Sequence, residues 1–250
     1  MKNLYGQFKL LKHLDRLNEW QKGGLSQPIF AAFDLSNICN NRCPRCITTL
    51  TYETCDKSVV KREDAFRVIS QLKDGGIRAI TFAGGGEPTC NPNLEEIMRY
   101  TKNKDIEIAL WTNGLKLTDR VIDTATDCCT WMRVSLDADG PELYQQTHGM
   151  NENCFNEVIS NISRLTQTRA KKNKSSDEMT IGATYLLGPH TIDGIYNAAK
   201  LARDLGVDYL RFRPFFSWDA KERPFTKSEG EQVFGELKRG KLSDIKFQEI

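Results

Sequence analysis

At 250 residues and 39% hydrophobic content, the chain can bury a substantial core as one large α/β domain or two small ones. Its 35 basic and 33 acidic residues leave a formal charge of +2, so no global field favours nucleic acid or an anionic membrane. A small-molecule or peptide substrate stays open, and with neither a membrane-length apolar run nor an apolar signal stretch at residues 1–7, the expected location is the cytoplasm.

In chain order, apolar groups at positions 8, 10, 11, 14, 17 and 20 follow helical spacing and predict an amphipathic N-terminal helix, ended by Gly23 and Gly24. Pro28 leads into the apolar run 29–35, which reads as a buried strand. A helix with Ala65, Val68, Ile69 and Leu72 on one face follows, then a strand over 79–83. The alternation continues with a helix over 94–101, a strand over 106–112, a helix over 118–125 and a strand over 131–136. Phe155, Val158, Ile159, Ile162 and Leu165 line the next helix, ahead of a strand over 180–187. A helix from Ile192 to Leu205, closed by Gly206 as a C-terminal cap, precedes the sixth strand over 209–213. The basic stretch from Arg169 to Lys174 reads as a solvated helix end. After Pro214 periodicity is weak, around Trp218, Pro224, Gly230, Gly235 and Gly240, and residues 242–250 read as a final helix or strand.

Strands alternating with helices imply a parallel sheet with right-handed crossovers. Six such units predict an α/β fold, a partial (β/α)6 TIM-type barrel of parallel strands with an N-terminal helix. The expected organisation is a helical extension over 1–27, a barrel core over 28–216 and a C-terminal extension over 217–250 that reads as cut short.

Eight cysteines in a chain with no signal segment have little use as disulfides. Cys39, Cys43 and Cys46 form a C-x3-C-x2-C run with metal-ligand spacing, while Cys55, Cys90, Cys128, Cys129 and Cys154 read as small buried side chains. A [4Fe–4S] cluster ordinarily takes four thiolates, so three leave one iron open to a substrate or cofactor. Two alternatives stand beside this: a zinc site completed by Cys55 or His148, and a four-cysteine electron-transfer cluster. Zinc ribbons and fingers prefer two separated ligand pairs, and no second pair of that spacing exists.

The three cysteines after a first strand, with Gly84-Gly85-Gly86-Glu87-Pro88 after a second, resemble the radical S-adenosylmethionine (radical SAM) superfamily. The resemblance covers about residues 28–216 and takes in Asn113 after strand three and Ser135 and Asp137 at strand four. It implies a [4Fe–4S] cluster on Cys39, Cys43 and Cys46 and S-adenosyl-L-methionine bound at the open iron. It further implies that Gly84, Gly85, Gly86, Glu87 and Pro88 serve the methionyl ammonium, with Glu87 holding either the turn or the ammonium. Ser135 and Asp137 would touch the ribose or the carboxylate, and Asn113 would lie near the cofactor. Gly182 would admit the adenine, Phe212 to Phe215 would flank it, and Arg211 and Arg213, on one strand face, would meet a carboxylate. Arg45 stands where the family commonly has an aromatic residue, and His148 near where many members have an arginine for the methionyl carboxylate; His148 is either a substitute contact or a surface group.

The implied activity is reductive cleavage of S-adenosylmethionine to a 5′-deoxyadenosyl radical that takes hydrogen from a peptide, protein, sugar or other small metabolite, with flavodoxin or ferredoxin as electron donor. The overall pattern is similar to the SPASM/twitch branch, without its cysteine-rich C-terminal part. The contrasting reading is a non-catalytic iron–sulfur or zinc-binding module.

Overall fold

The computed structural model describes residues 11–24, 27–46, 48, 56–214 and 226–239. The expectations for Phe8, Leu10, Cys55, Phe215, Trp218, Pro224, Gly240 and residues 242–250 lie outside them.

Six strands run β1 (Phe30–Asp34), β2 (Ala79–Ala83), β3 (Glu107–Thr112), β4 (Trp131–Ser135), β5 (Thr180–Leu187) and β6 (Tyr209–Pro214). They form one sheet in the order β1-β2-β3-β4-β5-β6, every neighbouring pair parallel. An order that never reverses has no switch point, so the crossover helices fall on one face and the other face becomes the inside of a partial barrel. Those helices are α2 (Arg62–Asp74), α3 (Leu94–Asn103), α4 (Asp119–Cys128), α5 (Pro141–His148), α6 (Glu152–Lys171) and α7 (Ile195–Asp204). α2 packs on α3, α3 on α4 and α4 on α6, as an outer layer requires.

Alternation along each strand divides the two faces. Ile80, Phe82, Ile108, Leu110, Met132, Val134, Ile181, Tyr185, Leu210 and Phe212 are buried against the helices. The opposite set includes Thr81, Ala109, Trp111, Arg133 and Arg211, which with Phe30, Ala79 and Glu107 line a cavity of about 360 Å³ toward the N-terminal ends of the strands. Its wall is aromatic and cationic: the Arg133 guanidinium lies 3.6 Å from the Trp111 ring centroid and 5.1 Å from that of Trp131. Trp131 stacks in turn on Tyr209 with centroids 6.4 Å apart.

Several expectations need correction. β1 is not a buried strand: Phe30, Ala32 and Asp34 are exposed, because β1 is an edge strand that pairs only with β2 and its inner face meets the open side of the barrel. Among the described residues the helix α1 spans Leu14–Gln21 and buries none of its residues; it is held by Arg16 on the Gly76 carbonyl and by the Arg78–Asp15 ion pair. The basic stretch is not merely solvated, since Arg169 makes a largely buried ion pair with Asp208 and Lys172 bridges Asp123 and Asp127. A helix missed in the sequence, α8 (Lys227–Arg239), packs on α7, and Gln232 reaches Asp193. Gly206 has the left-handed φ of +72° that its predicted capping role requires.

Candidate active site

Every residue of the predicted site core stands at or just beyond the C-terminal end of a strand, which is where this architecture exposes backbone and polar groups. The loop after β1 carries the three cysteines. Its base is fixed by Asn91, whose side-chain amide donates to the Leu35 and Val60 carbonyls, and by Ser36, whose Oγ accepts from the Ile38 N–H at 3.0 Å. Asn113 donates to Asn40 Oδ1 at 2.7 Å and points the same amide at Cys39 Sγ, 3.9 Å away. A tight turn, Cys46 N–H to the Cys43 carbonyl at 3.2 Å, then brings Cys46 back beside Cys43. Burial pushes the Cys39 thiol up to about 11 and the Cys43 thiol up to about 12, and the neighbouring thiols add to both. The metal-free loop therefore holds protons that a bound metal must displace.

Among the described residues no three His, Cys, Asp or Glu side chains converge as one metal ion demands. A cuboidal cluster places each thiolate on a different iron.

The glycine turn after β2 lies against this loop. A Cβ on Gly86 would overlap the Ile38 carbonyl and the Asn37 backbone, so the third glycine lets the two loops touch. The Gly86 and Glu87 N–H groups donate to the Ser36 and Ile38 carbonyls, at 2.9 and 2.8 Å. Glu87 itself is buried and faces into the protein. Its Oε1 accepts from the Thr89 N–H, the Thr89 hydroxyl and the Thr112 hydroxyl, and its Oε2 accepts from the Asn113 N–H at 2.7 Å. Burial pushes its carboxyl up while these donors pull it down. Of the two roles expected for Glu87, the geometry is that of holding the turn. Pro88 opens the single 3-10 turn Pro88–Cys90 beneath it.

Asp137 follows β4 in a left-handed conformation, φ +47°, held by its N–H on the Thr184 carbonyl at 3.0 Å. Its side chain is 6% exposed, and Oδ1 has no hydrogen-bond partner. Burial lifts the carboxyl to about 7, against hydrogen bonds from Thr184 and Leu186 and the charges of Arg213 and Arg133. Ser135 is half-buried and level with Thr184 and Arg211 in the sheet register. Arg213 is exposed at the end of β6. Arg45 borders a small hollow with Leu186, Gly188 and His190.

Three expectations fail here. Gly182 cannot admit an adenine, because the Tyr209 ring occupies the space over it. Phe212 cannot flank one, since it alternates away from Arg211 and Arg213 into the core, edge-on to Tyr185. His148 is not a surface group: it is 3% exposed at the end of α5. The sequence reading assigned no role to Asn40, Asn41 and Thr184, whose partners lie on other elements and leave no local signal.

The Radical SAM superfamily model matches residues 34–189, more than half of the chain and all of the strand ends just described except that of β6. The chain belongs to the radical SAM superfamily. Among curated relatives, the dTDP-4-amino-4,6-dideoxy-D-glucose ammonia-lyase of Streptomyces venezuelae is 27% identical over 192 residues, 72% of this chain and 38% of that protein. The mycofactocin maturase MftC of Mycobacterium ulcerans is 26% identical over 54% of this chain and 36% of its own. The chain thus spans well under half the length of these relatives. Among solved structures, Streptococcus suis SuiB bound to its precursor peptide SuiA superposes with a TM-score of 0.70 at 14% identity, over 96% of this chain and 53% of that one. It shares the fold.

The radical SAM family implies a [4Fe–4S] cluster and S-adenosylmethionine, and the residues present fit both. Three thiols sit on one loop, and a buried carboxylate oxygen without a hydrogen-bond partner stands at the same end of the barrel. No described helix is long and apolar enough to cross a membrane.

Proposed function

We propose that this chain carries the catalytic core of a radical SAM enzyme that acts in the cytoplasm on a peptide, protein, sugar or other small metabolite. The observation that carries the reading is that Cys39, Cys43 and Cys46 share one loop and that the buried carboxyl of Asp137, whose Oδ1 has no hydrogen-bond partner, lies close enough to Cys43 to push its thiol up. When bound, the cluster supplies an electron that cleaves the carbon–sulfur bond of S-adenosylmethionine and yields a 5′-deoxyadenosyl radical able to take hydrogen from a substrate.

The protein's own part is holding and shielding. Cys39, Cys43 and Cys46 would hold the cluster, and Asn113 and Asn40 fix the Cys39 side of the loop. Gly84, Gly85 and Gly86 present backbone to the methionyl ammonium, on a turn that Glu87 and Pro88 keep in shape. Asp137 Oδ1 accepts from a ribose hydroxyl, the Ser135 hydroxyl pairs with another, and Arg213 faces a carboxylate. Flavodoxin or ferredoxin serves as the electron donor.

The test is anaerobic reconstitution with iron and sulfide, reduction with dithionite, and assay for 5′-deoxyadenosine from added S-adenosylmethionine. A reducible cluster that releases none would overturn the proposal in favour of an electron-transfer module. Cys43→Ala is expected to remove both the brown absorbance and the cleavage.

A further inference from the structure

His148 stands close to where the family pattern offers an arginine for the methionyl carboxylate, yet both of its ring nitrogens are engaged inside the protein. Nε2 lies 3.1 Å from the Leu136 carbonyl, which can only accept, so Nε2 carries the proton. Nδ1, left as the acceptor, lies 3.2 Å from the Asn41 amide nitrogen and 3.5 Å from Cys43 Sγ. The ring is clamped from one side by Tyr144, with centroids 4.2 Å apart and planes inclined by 25°. A two-nitrogen ring used in this way has nothing left to offer a carboxylate.

The backbone around it closes on the same loop. The Arg42 N–H donates to the His148 carbonyl at 3.1 Å. Gly149 caps α5 with φ +63°, and a Cβ there would overlap the Arg42 carbonyl. Residues 41, 42 and 43 are therefore all held by the one dipeptide His148-Gly149. At its other end the imidazole holds Leu136, between Ser135 and Asp137.

We propose that His148 is a positioning residue for the cysteine loop, tying Cys43 to the end of β4 through its two ring nitrogens, and that it makes no contact with S-adenosylmethionine. The inference rests on the proposed function only for naming Cys43 a cluster ligand; the tie itself is a property of the metal-free protein.

The test begins there. In reduced, metal-free protein, iodoacetamide labelling of Cys43 and Cys39 is followed peptide by peptide by mass spectrometry. His148→Phe keeps a ring beside Tyr144 and removes both nitrogens, so Cys43 labelling is expected to accelerate about fivefold or more while Cys39, held by Asn113 and Asn40, changes less than about twofold. His148→Asn, whose amide oxygen falls near the Nδ1 position but which loses the bond to Leu136, is expected to restore only part of the protection. An unchanged Cys43 rate, or equal acceleration of both cysteines, overturns the proposal. If His148→Phe does not fold, Asn41→Ala removes the Asn41 arm of the tie, with His148 and its contact to Cys43 in place, and is judged by the same two rates. In reconstituted protein, His148→Phe is expected to move the cluster's reduction potential measured without S-adenosylmethionine and to leave the Kd for S-adenosylmethionine within about threefold. A Kd weakened about tenfold at unchanged potential would make His148 a cofactor contact instead. Failure of the wild type to load a cluster or release 5′-deoxyadenosine would refute the proposed function and leave the labelling result readable.

Discussion

The Thr112 hydroxyl donates to Glu87 Oε1 at 2.6 Å, latching the turn after β2 to the end of β3. With the Asn113 N–H on Oε2, one buried carboxylate joins two strand-end loops that both touch the cysteine loop. Glu87→Gln puts an amide NH2 where only donors point, and is expected to lower the stability of the metal-free protein by about 2–3 kcal/mol. Urea unfolding at neutral pH measures this; a loss below about 0.5 kcal/mol would show that the latch is dispensable.

The three glycines of the turn are expected to respond unequally. Gly86→Ala drives a methyl into the Ile38 carbonyl and should displace the cysteine loop, costing about 1–3 kcal/mol and lowering the iron bound on reconstitution. At Gly85 the nearest atom to a Cβ is Asn37 Oδ1 at 3.6 Å, an ordinary contact, so Gly85→Ala should fold and load iron as the wild type does. Equal iron content in the two variants would contradict the packing.

Gly182 is expected to matter for packing alone. Alanine there pushes the Tyr209 ring away from Trp131, with a loss of about 1–3 kcal/mol in urea unfolding. Tyr209→Leu frees the space, so in that background the further cost of Gly182→Ala should fall below about 1 kcal/mol. Two full, additive losses would show that the glycine is needed for another reason.

Asp137 makes stability depend on pH in a defined direction. Its carboxyl is lifted from 3.8 unfolded to about 7 in the folded chain, so the folded state binds the proton more tightly. The stability it contributes is fully present below about pH 3.8 and is lost as pH rises through about 7. Asp137→Asn has no such loss. In the metal-free protein the variant is expected to be more stable than wild type at pH 8, by a few kcal/mol at most, with the advantage shrinking toward pH 4. Urea midpoints across that range check the sign, and an advantage that grows on acidification would refute it.

Much of the architecture is legible in the chain because a helix or strand is a local object. Period-two and period-3.6 runs place β2, β3, β5 and β6 within a residue of where they stand, and Gly206 marks the end of α7. Short or polar elements leave less of a trace. α5 buries only Tyr144 and His148, one turn apart, too few for a periodic signal, and α8 carries Gly230 and Gly235 in its interior, residues that weaken any helical reading.

The sequence by itself determined the alternation of strands and helices, the three-thiol loop and the glycine turn, all of which are carried by spacing within a few tens of residues. Only the tertiary structure decided that Glu87 turns inward to Thr112 and Asn113, that Tyr209 covers Gly182, that β1 is an exposed edge, and that His148 is spent on Leu136, Asn41 and Cys43. The physical reason is register: a side chain's partner across a parallel sheet lies one or more crossovers away in sequence, and periodicity reports which face a residue occupies but never which residue it will meet there.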